Sequence, residues 1–157
     1  MTEAAASASG RSLVVLADGH PSDRGRLKQA LDQHPDLEVV GEAQDGHEAL
    51  ELCRRLRPEV VLIGARMPKM DGIEATRRIK VEFPSISVLV MSTLAAPDQL
   101  LEALKAGAAG YVLKRSGSQQ IRDAVRGALL GEYPLDEELT MRLLRRLADK
   151  APNGSSS

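Results

Sequence analysis

The chain has 157 residues, enough for one domain with a proper core and too few for two of ordinary size. It is 43% hydrophobic and 27% charged but only 2% aromatic, so Leu, Val, Ile and Ala must fill the core. A formal net charge of −1 gives no reason to expect broad attraction to nucleic acid or anionic lipid, and a single cysteine, Cys53, excludes an internal disulfide framework.

The first strand is expected at Ser12–Ala17 (SLVVLA), behind an Ala/Ser-rich stretch, 1–11, expected to be disordered. That stretch lacks the apolar core of a signal peptide, and no apolar run approaches the roughly 18 residues of a membrane span, so a soluble cytoplasmic protein with no membrane contact is expected. A helix follows over 21–34, with Leu27, Ala30 and Leu31 at helical spacing and Pro21 and Ser22 suited to its start. Leu37–Ala43 reads as the second strand and Gly46–Leu56 as the second helix, capped by Asp45 and carrying Cys53 as a small apolar residue. Pro58 ends it before the third strand, 59–64 (EVVLIG).

After the loop 65–70, Asp71 caps a helix running to about Phe83, which Pro84 stops. The fourth strand is 86–91 (ISVLVM), and the fourth helix 97–106, closed by Gly107. The fifth strand is 109–113 and the fifth helix 118–130, with Gly131 behind it. Beyond it, 135–148 carries Leu139, Leu143 and Leu147 four apart, with Arg142, Arg145 and Arg146 between them as a solvated face: a sixth, amphipathic helix. The domain boundaries expected are a core domain over 12–131, a linker helix within 132–149 and a flexible tail, 150–157.

Strand starts lie about 22 to 27 residues apart, a βα rhythm, and the strands are continuous apolar runs of the kind buried on both faces. An α/β fold with a doubly wound, five-stranded parallel sheet follows. Its functional site should lie beyond the carboxyl ends of the strands, at Asp18–Gly19, Gly64–Ala65, Ser92–Thr93 and Lys114–Arg115.

The residues at those strand ends carry a resemblance. Ala17-Asp18-Gly19-His20-Pro21, the run Val60 to Gly72 (VVLIGARMPKMDG), Val88-Leu89-Val90-Met91-Ser92 and Gly107 to Lys114 (GAAGYVLK) together resemble response-regulator receiver domains. Within them, 34–43 (HPDLEVVGEA) and Gly131-Glu132-Tyr133 are most similar to the NarL/FixJ, LuxR-type branch. The resemblance covers about 13–131 and implies a flavodoxin-like strand order 2-1-3-4-5 with helices on both faces. It also implies that 135–148 is the linker to a helix-turn-helix DNA-binding domain that this chain does not contain.

In that family a phosphoryl group passes to an aspartate at the end of the third strand, with Mg²⁺ held by two carboxylates and a backbone carbonyl. Carried over, these positions fall on Gly64, Gly19 and the carbonyl of Arg66, so both ligand carboxylates and the nucleophile are missing. No catalytic residue, no metal and no cofactor is expected: Asp18, Gly19, Gly64, Arg66, Ser92 and Lys114 are the remnant of a phosphorylation pocket. Lys114, facing a partly buried site, needs a partner, and Asp18 is the one expected. Ser92 and Tyr111 are the family's switch pair; without phosphate, Ser92 is expected to bond nearby backbone and Tyr111 to keep one rotamer.

The function implied is an atypical receiver that is not an enzyme and acts independently of phosphorylation. It would work as a homodimer or by partner binding through the first or fifth helix or the fourth helix–fifth strand face, and belong to a transcription regulator that contacts DNA elsewhere. Two other readings compete: a stand-alone adaptor, and a sensor of a small anion or metabolite in the emptied pocket.

Overall fold

The structure, a computed structural model, describes residues 10–150. The expected disordered N-terminus and flexible tail lie, apart from residues 10, 11 and 150, outside the described residues. Short apolar runs form β1 (Ser12–Ala17), β2 (Leu37–Ala43), β3 (Val60–Gly64), β4 (Ser87–Ser92) and β5 (Gly110–Leu113). Between and after them come α1 (Pro21–Asp32), α2 (Gly46–Leu56), α3 (Gly72–Glu82), α4 (Pro97–Lys105), α5 (Ser118–Leu129) and α6 (Glu137–Asp149).

All four strand pairings are parallel, in the spatial order β2-β1-β3-β4-β5, which is the expected doubly wound fold. The two-residue period of a strand divides the core into two layers. Val15, Ala17, Val61, Ile63, Val88 and Val90 point to one face, where α2, α3, α4 and α6 contribute Cys53, Ile79, Leu100 and Leu139. Val14, Leu16, Val60, Leu62, Leu89 and Met91 point to the other, against Leu27 and Leu31 of α1 and Ile121 and Val125 of α5. Each such Leu, Val or Ile contributes about 1.5–3 kcal/mol on burial. Both faces are therefore held by aliphatic packing, as the scarcity of aromatics requires.

Asp45 and Asp71 cap as expected, accepting from the backbone N–H of Glu48 (2.9 Å) and Glu74 (2.8 Å). Burial pushes the Cys53 thiol up to about 12, and a thiol so reluctant to ionise is a packing residue. Exposed arginines on α2 and α3 are paired: Arg54 Nε donates to Glu82 at 2.9 Å, joining α2 to α3, and Arg77 and Arg78 both hold Glu74.

The sixth helix begins two residues later than its apolar spacing predicts. Leu135 is taken by a parallel bridge to Tyr111, and Asp136 caps α6 by accepting from Leu139 N at 2.8 Å. Pro134 O accepts from Tyr111 N at 3.1 Å, so the connection runs along the free edge of β5. Gly110 permits that approach, since a Cβ there would stand 2.4 Å from Pro134 O. α6 then packs back on α4, burying Leu139 and Leu143. Its arginines are exposed as expected, and two of them also bond across to the neighbouring segment: Arg142 donates to Ala95 O at 3.2 Å and Arg146 to Asp98 Oδ1 at 2.8 Å. The α4–β5 face, expected to be open for association, is occupied by the chain's own helix.

Candidate functional site

The carboxyl ends of β1, β3, β4 and β5 bring Asp18, Gly64, Ser92 and Lys114 to one end of the sheet. Asp18 is wholly buried. Its Oδ1 accepts from His20 N at 2.9 Å, and its Oδ2 lies 2.5 Å from Lys114 Nζ. That second contact is a charge pair without hydrogen-bond alignment, since Oδ2 has no hydrogen-bond partner. Lys114, itself buried, also donates to Asp23 Oδ2 at 3.2 Å, a carboxylate in the first turn of α1. Burying two charges is costly unless they meet in good geometry, so this lysine bridges two acids instead of facing open space.

Around the pair the backbone is fastened by cations. Arg24 Nη1 donates to Asp18 O at 2.6 Å and Arg26 Nη2 to Lys114 O at 3.2 Å. Gly64, where the resemblance puts the phosphoacceptor, faces Asp18: a Cβ built on it would sit 3.4 Å from Asp18 Oδ2, an ordinary contact. A Cβ on Gly19 would come within 3.1 Å of Pro68 Cδ, tighter but against a side chain. Gly72 fixes how α3 meets β3, because a Cβ there would stand only 1.9 Å from Gly64 O. Arg66 is exposed on the loop between them.

A divalent cation does not fit these donors. Mg²⁺ needs near-octahedral oxygen ligands, commonly one or two carboxylates. Here the one carboxylate at the strand ends already touches an ammonium, and no cluster of His, Cys, Asp and Glu able to hold a metal occurs among the described residues. A groove lies away from this pocket. Its volume is about 370 Å³, and it runs between α5 and the α5–α6 connection, lined by Asp123, Gly127, Glu132 and Pro134.

Ser92 and Tyr111, the pair that the resemblance marks as a switch, form a second cluster. Tyr111 is fully buried, its hydroxyl 2.9 Å from Leu94 O and 2.7 Å from Gln99 Oε1. Ser92 Oγ accepts from Leu94 N at 3.0 Å, the expected backbone bond, and also donates to Gln99 Oε1. A phenol has one proton, so Tyr111 donates to only one of Leu94 O and Gln99 Oε1 at a time, both lying within its reach. Burial pushes the Tyr111 phenol above its ordinary value, with the Ser92 hydroxyl acting the other way. Gln99 and Asp23 went unnoticed in the sequence: one is the third residue of α4, the other sits five residues past Asp18, and neither belongs to a motif.

Residues 14–126 match the response regulator receiver domain family. The transcriptional regulatory protein LiaR of Bacillus subtilis is 38% identical over 140 residues, which are 89% of this chain; the chain spans 66% of the length of LiaR. The signal receiver domain of the response regulator NarL from Mycobacterium tuberculosis superposes with a TM-score of 0.76 at 37% identity, covering 78% of this chain and 98% of that one. RcsB, solved as two dimers bound to two parallel DNAs, superposes with a TM-score of 0.77 at 27% identity, covering 85% of this chain and 68% of that one. The chain belongs to the response regulator receiver domain family, with relatives among NarL- and LuxR-type regulators.

Proposed function

We propose that this receiver signals without aspartyl phosphorylation or Mg²⁺, and serves a LuxR-type transcription regulator whose DNA-binding domain lies outside this chain. The observation that carries the reading is the 2.5 Å contact between Lys114 and Asp18 beside Gly64. Glycine has no nucleophile to offer phosphorus, and the lysine that would meet a phosphoryl group is held by two carboxylates. The clasp of Ser92 and Tyr111 on Gln99 supports it further, because it holds the switch tyrosine inward with no phosphoryl group to draw it there. LiaR's role as a transcriptional regulatory protein and RcsB's dimers on DNA support the output: a cytoplasmic homodimer that places an attached domain on DNA, with no catalysis in this part. An anion sensor in the pocket has less to recommend it, since Lys114 is already neutralised.

The test is phosphoryl transfer from acetyl phosphate with Mg²⁺, read by intact mass. The wild-type chain should gain no phosphoryl group, and beryllofluoride with Mg²⁺ should leave the NMR signals of Ser92, Tyr111 and Lys114 in place. Gly19→Asp combined with Gly64→Asp should restore a metal-dependent mass gain. Phosphorylation of the wild-type chain sinks the reading.

A further inference from the structure

α6 is apolar on two opposite faces. One holds Leu139 and Leu143 at 1% and 4% exposure; the other presents Met141 at 45% and Leu144 at 52% to solvent, with Leu147 at 42% on its margin. Met141, Leu144 and Ala148 follow the three-then-four spacing of a coiled-coil seam. A surface helix whose only task was to cover α4 would be polar on that outer side. Glu138 and Arg145 flank the seam along one edge, both exposed and neither ion-paired among the described residues. Arg142 and Arg146, by contrast, are engaged with Ala95, just before α4, and Asp98, within it.

We propose that this outer stripe of α6 pairs antiparallel with the same stripe of a second copy of the chain. With Met141 set against Leu144 of the second copy, Glu138 meets Arg145 of that copy, and by symmetry the pair occurs twice. A parallel pairing would set Arg145 against Thr140 and leave the charges unanswered. The stripe is therefore complementary to itself in one direction only. Three apolar side chains per copy bury less than the roughly 1,200 Å² of a stable interface, so the seam alone gives a weak, reversible dimer. Any further contact between the two copies would strengthen it through effective concentration. The proposal deepens the homodimer reading above, and its outcome is independent of phosphate acceptance.

Sedimentation velocity of the full chain across a concentration series tests it, with circular dichroism to verify folding. The wild-type chain should show reversible dimerisation, and Leu144→Asp, an exposed change, should remain monomeric. Glu138→Arg and Arg145→Glu should each weaken dimerisation by roughly tenfold, as two like-charge contacts replace two pairs. Mixed in equal amounts, those two variants should form a heterodimer at wild-type strength, because each then supplies the charge the other lacks. A wild-type chain that is monomeric throughout, a Leu144→Asp dimer, or a mixture no stronger than its components overturns the proposal. A dimer that survives all three changes uses another face, and leaves the phosphate-free reading standing.

Discussion

The strand-end pocket and the Tyr111 edge lie at the same end of the sheet, yet they are built in opposite ways. The pocket holds Lys114 between Asp18 and Asp23, with an Asp18 oxygen that lacks a hydrogen bond. The edge has no charge at its centre: Ser92, Gln99 and Tyr111 answer one another, and Pro134 and Leu135 are stitched to the backbone of Tyr111. One cluster is electrostatic and intolerant of losing a member, the other a network of neutral hydrogen bonds. The difference teaches that a buried charge pair and a neutral hydrogen-bond network can be built side by side at one end of this sheet without sharing a residue.

The largest expected effect comes from unbalancing the pocket. Lys114→Met leaves the buried Asp18 without its cation and should cost about 3–5 kcal/mol of stability in urea denaturation. Adding Asp18→Asn should recover most of that loss; equal costs for the single and double variants would show that the charge pair is not what holds the pocket. At the edge the penalty should be smaller. Gln99→Leu removes the group shared by Ser92 and Tyr111 and should cost about 1–3 kcal/mol. It should also free the phenol, read as a change in Tyr111 fluorescence in a Tyr133→Phe background, since the chain has two tyrosines and no tryptophan.

The smallest effect separates the two regions by pH. Burial raises the Tyr111 phenol, so the folded state holds that proton more tightly than the unfolded chain does. The corresponding stability is complete below the ordinary phenol value of 10.0 and disappears as pH climbs through the raised one. Cys53, raised from 9.0 to about 12, loses stability in an overlapping window, so the measurement belongs in a Cys53→Ala background. There, Tyr111→Phe should flatten the alkaline decline in melting temperature, whereas an unchanged slope would mean that the phenol is not desolvated.

Much of this was legible in the residues themselves. The βα rhythm and the continuous apolar strands announced the sheet, and Asp45 and Asp71 announced their helix starts, because each of these signals is local. Gln99 was not legible, since its role arises only when α4 is laid beside β5. The fold-back of α6 escaped for the same reason: Leu139 and Leu143 mark an apolar face without saying what it covers. Leu135 fitted the helical period but was claimed by a bridge to Tyr111, a tertiary contact that outweighed local spacing.

The placement of Gly64 against Asp18 also bears on how such a domain could change over evolutionary time. A carboxylate introduced at position 64 alone would project from a Cβ 3.4 Å from Asp18 Oδ2, adding negative charge to a pocket balanced around one lysine. A carboxylate at position 19 alone would press on Pro68 with no second ligand to share a cation. On the proposed reading, each single step toward phosphate chemistry would therefore be uphill, and the two carboxylates together would be needed to hold a metal that offsets the charge. On that reading, the ion pair between Asp18 and Lys114 would act as a ratchet, disfavouring any single carboxylate added beside it.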